Sequence, residues 1–391
     1  MRIGLEQIAN APPKCLSNAR IGLLINQASV DRANRMACDV FAEQFGKQLT
    51  CIFSPQHGIW GEQQANMIET EHSTYAPLGI PVYSLYSDTR RPTQQMLDSV
   101  DVVVVDLQDV GTRVYTFVWT LLEVLHACAQ AGKTVLVLDR PNPLGGRCVE
   151  GPPLADDHRS FVGGECVELR HGLTIAEIAK LCQQRQKIDV DLHILAMDNW
   201  DRGMWRASSE RRWIWPSPNM PTLSTAYVYP GQVLLEGMNL SEGRGTTRPF
   251  ELVGAPFIDA DRWLAELARS PCDGIEFSPV RFLPTFDKFA GESCSGIDLR
   301  VTAPEQVRSV SATLTLLASA TALWPDQVKL LGPPYEYETV KAPLDILWGN
   351  DSLRLKLADI RDGRCDWVTA LELANADRNA WRARTEDSLL Y

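Results

Sequence analysis

Short apolar runs closed by polar clusters set the rhythm of the first half of the chain. The stretch LTCIFSPQHGIWGE, residues 49–62, is the plainest of them. Leu49, Cys51, Ile52 and Phe53 make a compact apolar run, and Ser54 and Pro55 stop it, because proline has no N–H to give a sheet ladder. Gln56 and His57 follow just past the carboxyl end of this strand, with Gly58, Gly61 and Glu62 behind them. The same alternation predicts strands over residues 20–30 (with Asn26 and Gln27 at the exit), 81–86, 101–107, 134–139 and 191–196. DVVVVDL at 101–107 is β-branched and uninterrupted, as a strand buried on both faces of a parallel sheet should be. Helical spacing covers 37–48, 92–99, 115–130 and 173–185, the last opened by a Thr174/Glu177 capping box. Strand and helix alternating at this pace predict an α/β protein built on a Rossmann-like, doubly wound, mostly parallel sheet.

The texture changes near residue 200. Residues 200–225 are rich in Trp, Arg, Pro and Ser and predict a long irregular connection, which the tryptophans mark as functional rather than disordered. After it come residues 227–236, a Gly-rich stretch to Phe257, a helix at 259–269, strands near 274–282 and 296–301, and one long helix at 304–323. The expected organisation is a Rossmann-like domain over residues 1–229 and a second, smaller α/β domain over 230–391.

A length of 391 residues fits two domains of roughly 100–200 residues each. A net charge of −11 argues against nucleic acid or an anionic membrane surface as the main partner. The N-terminal MRIGLEQIANAPPK has no continuous apolar core of a signal peptide, and no window reaches the roughly 18 apolar residues of a membrane span. The ten cysteines are scattered and include no C-x-x-C pair, which fits reduced thiols. A cytoplasmic location is expected; the oligomeric state stays open.

Three strand ends carry polar clusters: Gln56 and His57 with Glu62; Asp106, Gln108 and Asp109 with Arg113 and Tyr115; Asp139, Arg140 and Asn142 with Glu150. In a parallel sheet all three open on one rim, where ligands bind, so Gln56, Asp109, Arg113, Asp139, Arg140 and Asn142 are expected to line one pocket. His57, in a Gly-flanked loop, is a better site candidate than the mid-helix His126, and His171, ahead of a helix, is intermediate. The segment EGMNLSEGRGTTRPFE offers Glu236, Asn239, Glu242, Arg244 and Arg248 among glycines that let backbone approach a ligand. Residues 239–248 and Asn219 are expected to face the rim across the domain boundary. No G-x-G-x-x-G, Walker A, H-E-x-x-H or G-x-S-x-G motif occurs, so a nucleotide cofactor or tight zinc site is not expected.

SPQHGIWGE, DLQDVGTRVYTF, DRPNPLGG with VEGPPL, RHGLTIAEIA, WPSPNMPT and NLSEGRGTTRPFELVGAP occur in this order. Together they resemble the bacterial family of exo-lytic β-N-acetylmuramidases. The resemblance implies a Rossmann-like domain, a smaller C-terminal domain and an active cleft between them. It also implies release of N-acetylmuramic acid from the non-reducing end of peptidoglycan fragments, without a cofactor. The partner expected is a small sugar or muropeptide, and the role is cell wall recycling. Where the family motif reads Pro-Glu-His-Gly, this chain has Gln56, and an amide is neither a Brønsted acid nor a carboxylate nucleophile. Glu62 is the first substitute, with Trp60 expected to desolvate it; Glu69, Glu150 and Glu242 are others. Catalytic roles thus fall to Glu62, His57 and Glu150. Substrate contacts fall to Gln56, Asp109, Arg113, Tyr115, Asp139, Arg140, Asn142, His171, Asn219, Glu242 and Arg244. The rival reading is a catalytically silent amino-sugar-binding protein that keeps the cleft.

Overall fold

A computed structural model of the chain describes residues 1–64, 68–205 and 211–391. In chain order its first strands are β1 (Ile21–Ile25), β2 (Leu49–Ser54), β3 (Ser73–Tyr75), β4 (Ile80–Ser84), β5 (Val102–Asp106), β6 (Thr134–Leu138), β7 (Glu150–Pro153), β8 (Glu168–Arg170) and β9 (Leu192–Leu195). All but β7 and β8, which form their own antiparallel pair, join one seven-stranded sheet of order β3-β4-β2-β1-β5-β6-β9. Its pairings are parallel except for β3 on β4. From β1 the sheet grows one way through β2 and β4 and the other way through β5, β6 and β9. That is the expected doubly wound arrangement, with its switch between β1 and β5.

Both faces of the sheet are covered, which is why its strands read as continuous apolar runs. Successive side chains point to opposite faces: Leu23 and Ile25 pack in one cluster with Phe41 and Leu138, while Leu24 joins Phe53 and Val105 in the other. Burying each such side chain is worth about 1.5–3 kcal/mol. The helix Phe117–Ala131 lies in the second cluster, and that cluster runs on without a break into the C-terminal half.

The smaller unit carries β10 (Leu252–Ala255), β11 (Ile275–Phe282) and β12 (Cys294–Val301) in an antiparallel sheet of order β10-β12-β11. Helix Leu223–Gln232 packs on the almost wholly buried helix Ser309–Leu323. Gly231 permits that contact, since a Cβ there would lie 2.0 Å from the Ser309 carbonyl oxygen. Pro230, where the second domain was expected to begin, lies inside helix Leu223–Gln232. The long helix expected from residue 304 is interrupted: Pro304–Gln306 is a single 3₁₀ turn, and Val307 and Arg308 leave the helical region. The Val307 carbonyl accepts from Arg170 Nη1 at 2.8 Å, a tertiary bond that local spacing does not reveal. Among the described residues no helix is long and apolar enough to cross a membrane.

Arg113 ties the two halves together. It is fully buried. Its Nη1 donates to the carbonyls of Pro152 and Val167, and its Nη2 to that of Leu347, each at 2.9 Å. Burial, only partly offset by Glu168, pulls its guanidinium down to about 10. Arg113→Ala orphans three carbonyls and is expected to cost at least about 3 kcal/mol; urea denaturation of wild type and variant side by side measures the difference.

Candidate active site

A narrow chamber lies where the carboxyl end of β2 meets the C-terminal unit. Gln56 and His57 enter from the turn after β2, and Tyr115, Thr116 and Phe117 from the start of helix Phe117–Ala131. Ser217, Asn219 and Met220 come from the Trp-rich connection. Tyr229 comes from helix Leu223–Gln232, Glu236 from the 3₁₀ turn Val233–Gly237, and Arg244 and Phe250 from the Gly-rich loop. Tyr335 and Glu336 complete the wall. The turns that deliver His57 and Glu336 are conformationally costly. His57 has φ +74°, and Glu336 and Tyr337 have φ +43° and +69° in a turn closed by mutual backbone bonds of Tyr335 and Glu338. Non-glycine residues hold such angles where the surroundings impose them, commonly at functional sites.

Two buried carboxyls of unlike surroundings dominate the electrostatics. Glu236 accepts from Arg244 Nη2 and from the Tyr335 hydroxyl, both at 2.6 Å. Among the described residues Glu336 has only the Tyr86 hydroxyl, at 3.3 Å from its Oε2. Burial, and then the nearby Glu236, push the Glu336 carboxyl up to about 7, so it holds a proton close to neutrality. Burial acts against the Arg244 guanidinium, but Glu236 and Glu242 outweigh it and raise its affinity for the proton. Burial also works against an ionised Glu242, yet Lys288, 2.8 Å away, and Arg244 hold it below the usual carboxyl range.

The remaining polar groups of the chamber are uncharged hydrogen-bonding groups. Burial chiefly, aided by the charge of Arg244, lowers His57 to about 4, so the ring is neutral. Its Nδ1 lies 2.6 Å from the Gln63 carbonyl oxygen, which only accepts, so Nδ1 carries the hydrogen and Nε2 the lone pair. Gln56 Oε1 accepts from Thr116 Oγ1 at 2.7 Å. Tyr115 has its hydroxyl buried without a hydrogen bond of good geometry, a group that calls for a polar partner.

Of the residues expected from sequence, the chamber collects Gln56, His57, Tyr115, Asn219 and Arg244. Glu242 lies behind Arg244, in an adjoining pocket that also contains Glu236 and Tyr335. The rim does not form one pocket. Asp109 accepts from Gly111 N at 2.7 Å, and Arg113 is spent on carbonyls. Asp139 accepts from Thr174 Oγ1, the Ala176 N–H and the Tyr391 hydroxyl. Asn142 bonds the Leu144 N–H and the Leu173 carbonyl. Arg140 clasps Asp106 at 2.5 and 2.7 Å and lines a separate pocket with Gln108 and Arg211. Arg140 and Asp106 are an ion pair, whereas burial pushes the Asp139 carboxyl up to about 7 against its three hydrogen bonds.

His171 is also internal. Its Nδ1 accepts from Leu173 N and its Nε2 is 3.4 Å from Asp109. Glu150 is bound by Arg170 at 2.7 Å and by the Ser311 N–H. Glu62 is exposed and outside the chamber. Trp60 is 51% exposed and stacks on Tyr75, so it does not desolvate Glu62. Asn239 and Arg248 are likewise taken up, by Gln327 and Lys329 and by Glu251 and Asp298. Sequence reasoning passed over Tyr229, Tyr335 and Glu336. The one signal for the last two is the run PPYEYE, a glutamate between tyrosines after two prolines. Among the described residues no group of His, Cys, Asp or Glu converges as a metal site.

Two carboxyls of unlike surroundings, beyond the strand ends of a doubly wound sheet, are a combination that glycoside hydrolases use. The family model for the N-terminal part of the exo-β-N-acetylmuramidase NamZ matches residues 21–224, and that for its C-terminal part matches 227–391. The chain belongs to this family. It is 38% identical to the peptidoglycan β-N-acetylmuramidase NamZ of Bacillus subtilis (strain 168) over 359 residues, 91% of this chain and 84% of the relative. Two crystal structures of DUF1343 family proteins from Bacteroides fragilis NCTC 9343 resemble it over 100% of this chain and 98% of theirs. Their TM-scores are 0.89 and 0.74, at 28% and 25% identity.

The raised Glu336 carboxyl has a consequence for stability. Its proton affinity is higher folded than unfolded, so the folded state binds more protons between about pH 4.5 and 7 and loses stability as pH rises through that window. Glu336→Gln removes this contribution. The variant is expected to gain up to about 3 kcal/mol on wild type at pH 8 and nothing at pH 4, read from urea midpoints across the pH range.

Proposed function

We propose that the chamber removes N-acetylmuramic acid from the non-reducing end of peptidoglycan fragments, with Glu336 as proton donor and Glu236 as its carboxylate partner. The observation that carries the assignment is the contrast between them: Glu236 faces a guanidinium, and Glu336 faces a phenol and holds its proton to about pH 7. Glycosidases need this division between a protonated acid and an ionised partner. Glu336 gives its proton to the glycosidic oxygen as the bond to the anomeric carbon breaks. Glu236 steadies the positive charge that develops there. Water then delivers hydroxide to that carbon, and its remaining proton restores the acid. Gln56, Asn219, Ser217, Tyr115 and neutral His57 supply hydrogen bonds for the sugar, and Tyr229 and Phe250 supply apolar surface.

The named activity of the Bacillus subtilis relative supports the substrate. Gln56 does not leave the chamber without carboxyls, which removes the ground for a silent binding protein. All ten cysteines are free thiols, which supports a reducing compartment and a role in cell wall recycling in the cytoplasm.

The wild-type protein is expected to hydrolyse a chromogenic β-N-acetylmuramide, and Glu336→Gln and Glu236→Gln each to lose at least about 10²-fold in kcat. Activity should fall as pH rises through about 7, where Glu336 gives up its proton. Glu62→Gln should keep wild-type turnover. Unchanged kcat in Glu336→Gln would sink the assignment.

A further inference from the structure

Beside the chamber, but outside its lining, an arginine is enclosed by aromatic rings. The Cζ of Arg90 lies 4.1 Å from the ring centre of Tyr86, 4.7 Å from that of Tyr337 and 5.8 Å from that of Phe161. The three rings are within 5.6–6.4 Å of one another. Arg90 Nη1 donates to the Ser87 carbonyl, and Nη2 to the Tyr337 hydroxyl and, at 3.3 Å, to Glu69. Tyr86, Ser87 and Arg90 follow β4 of the large sheet, whereas Tyr337 belongs to the C-terminal unit. The box therefore spans the two units.

Two of its members touch the acid. The Tyr86 hydroxyl bonds Glu336 Oε2, and Tyr337 is the next residue after Glu336 in a turn whose two central residues both have positive φ. Non-glycine residues hold such a turn at some cost, which contacts from outside it help to offset. The cation stacked between Tyr86 and Tyr337 holds both sides of Glu336 at once.

We propose that Arg90 is a positioning residue of the reaction: boxed by Tyr86, Phe161 and Tyr337, it sets the Tyr86 hydroxyl and the Tyr335–Glu338 turn so that the Glu336 carboxyl meets the glycosidic oxygen. The proposal rests on the reading of Glu336 as the acid. The charged and titratable groups around that carboxyl are Glu236 and Arg244 from the C-terminal unit, Tyr86 and Arg90 from the large sheet, and the phenols of Tyr229 and Tyr335. Arg90 favours the ionised carboxyl, against burial and Glu236.

The experiment compares Arg90→Lys, Arg90→Gln and Tyr337→Phe with wild type on a chromogenic β-N-acetylmuramide across pH. Lysine keeps the charge but lacks the planar stack and the fork of donors. Arg90→Lys is expected to lose about 10- to 10²-fold in kcat with KM and the alkaline limb of the pH profile unchanged. Arg90→Gln is expected to lose kcat and also to move the alkaline limb to higher pH, since a cation that favoured ionisation is gone. Tyr337→Phe, on a half-exposed ring, keeps the stack and loses one hydrogen bond, so a smaller fall in kcat at constant KM is expected; it also serves if the Arg90 variants do not fold. Wild-type kcat in all three, or an effect confined to KM, overturns the role of Arg90. Wild-type turnover in Glu336→Gln overturns instead the assignment of the acid on which it rests.

Discussion

The guanidinium of Arg244 sits between Glu236 and Glu242 with little water around it. Lys288 closes the far side of Glu242 and the Tyr335 hydroxyl closes Glu236. A charge taken out of water is tolerable only when paired, and breaking one partner of such a pair costs about 3–5 kcal/mol. The site depends on this chain of pairings. It fixes the Gly-rich loop against the 3₁₀ turn Val233–Gly237, eight residues back, and against the Tyr335–Glu338 turn, 99 residues on from Glu236. It also leaves one carboxyl over. Glu336 has no guanidinium or ammonium within salt-bridge distance among the described residues, and a carboxyl buried beside another carboxylate keeps its proton.

The fold was legible because a doubly wound sheet writes itself into hydrophobic patterning. Strands such as β5 are buried on both faces, and nothing but an apolar run will do there. The site was legible only in part, for a physical reason. A polar residue after a strand is a site candidate by position, but position does not say whether its hydrogen bonds are already spent. Asp139, Asn142 and Arg113 stand where ligand-binding residues should, and each is occupied by main-chain groups or neighbours, while Asp109 turns one oxygen to Gly111 N. Gln56, His57 and Tyr115 stand in similar places and are left facing the chamber. The difference is made by tertiary partners, from Leu173, 31 residues beyond Asn142, to Leu347, 234 residues beyond Arg113, which close over some strand ends and stop short of others.

The same limit hid Glu336. Looking for a carboxyl to replace a motif glutamate leads to the nearest one in sequence, and Glu62 lies six residues on. Proximity along the chain is weak ground for proximity in space when a loop turns outward, as the one bearing Trp60 does. Glu336 lies 280 residues from Gln56 and reaches the same chamber because its turn adopts an uncommon backbone conformation. The ordered set of motifs identified the family without pointing to Glu336.

Gln56 is then better understood as part of the electrostatic design than as a lost catalyst. The chamber already contains Glu236 and Glu336, and Glu336 is poised at about 7 by burial and by the charge of Glu236. A third carboxylate in that space would raise the cost of ionising Glu336 and move it out of the range useful near neutrality. An amide of the same shape adds no charge. Its carbonyl takes the Thr116 hydroxyl, which anchors it to the first turn of helix Phe117–Ala131, and its amide N–H groups remain as donors. Donors suit the hydroxyl and acyl oxygens of an amino sugar. Glutamine at this position thus keeps the chamber at two carboxyls with divided roles.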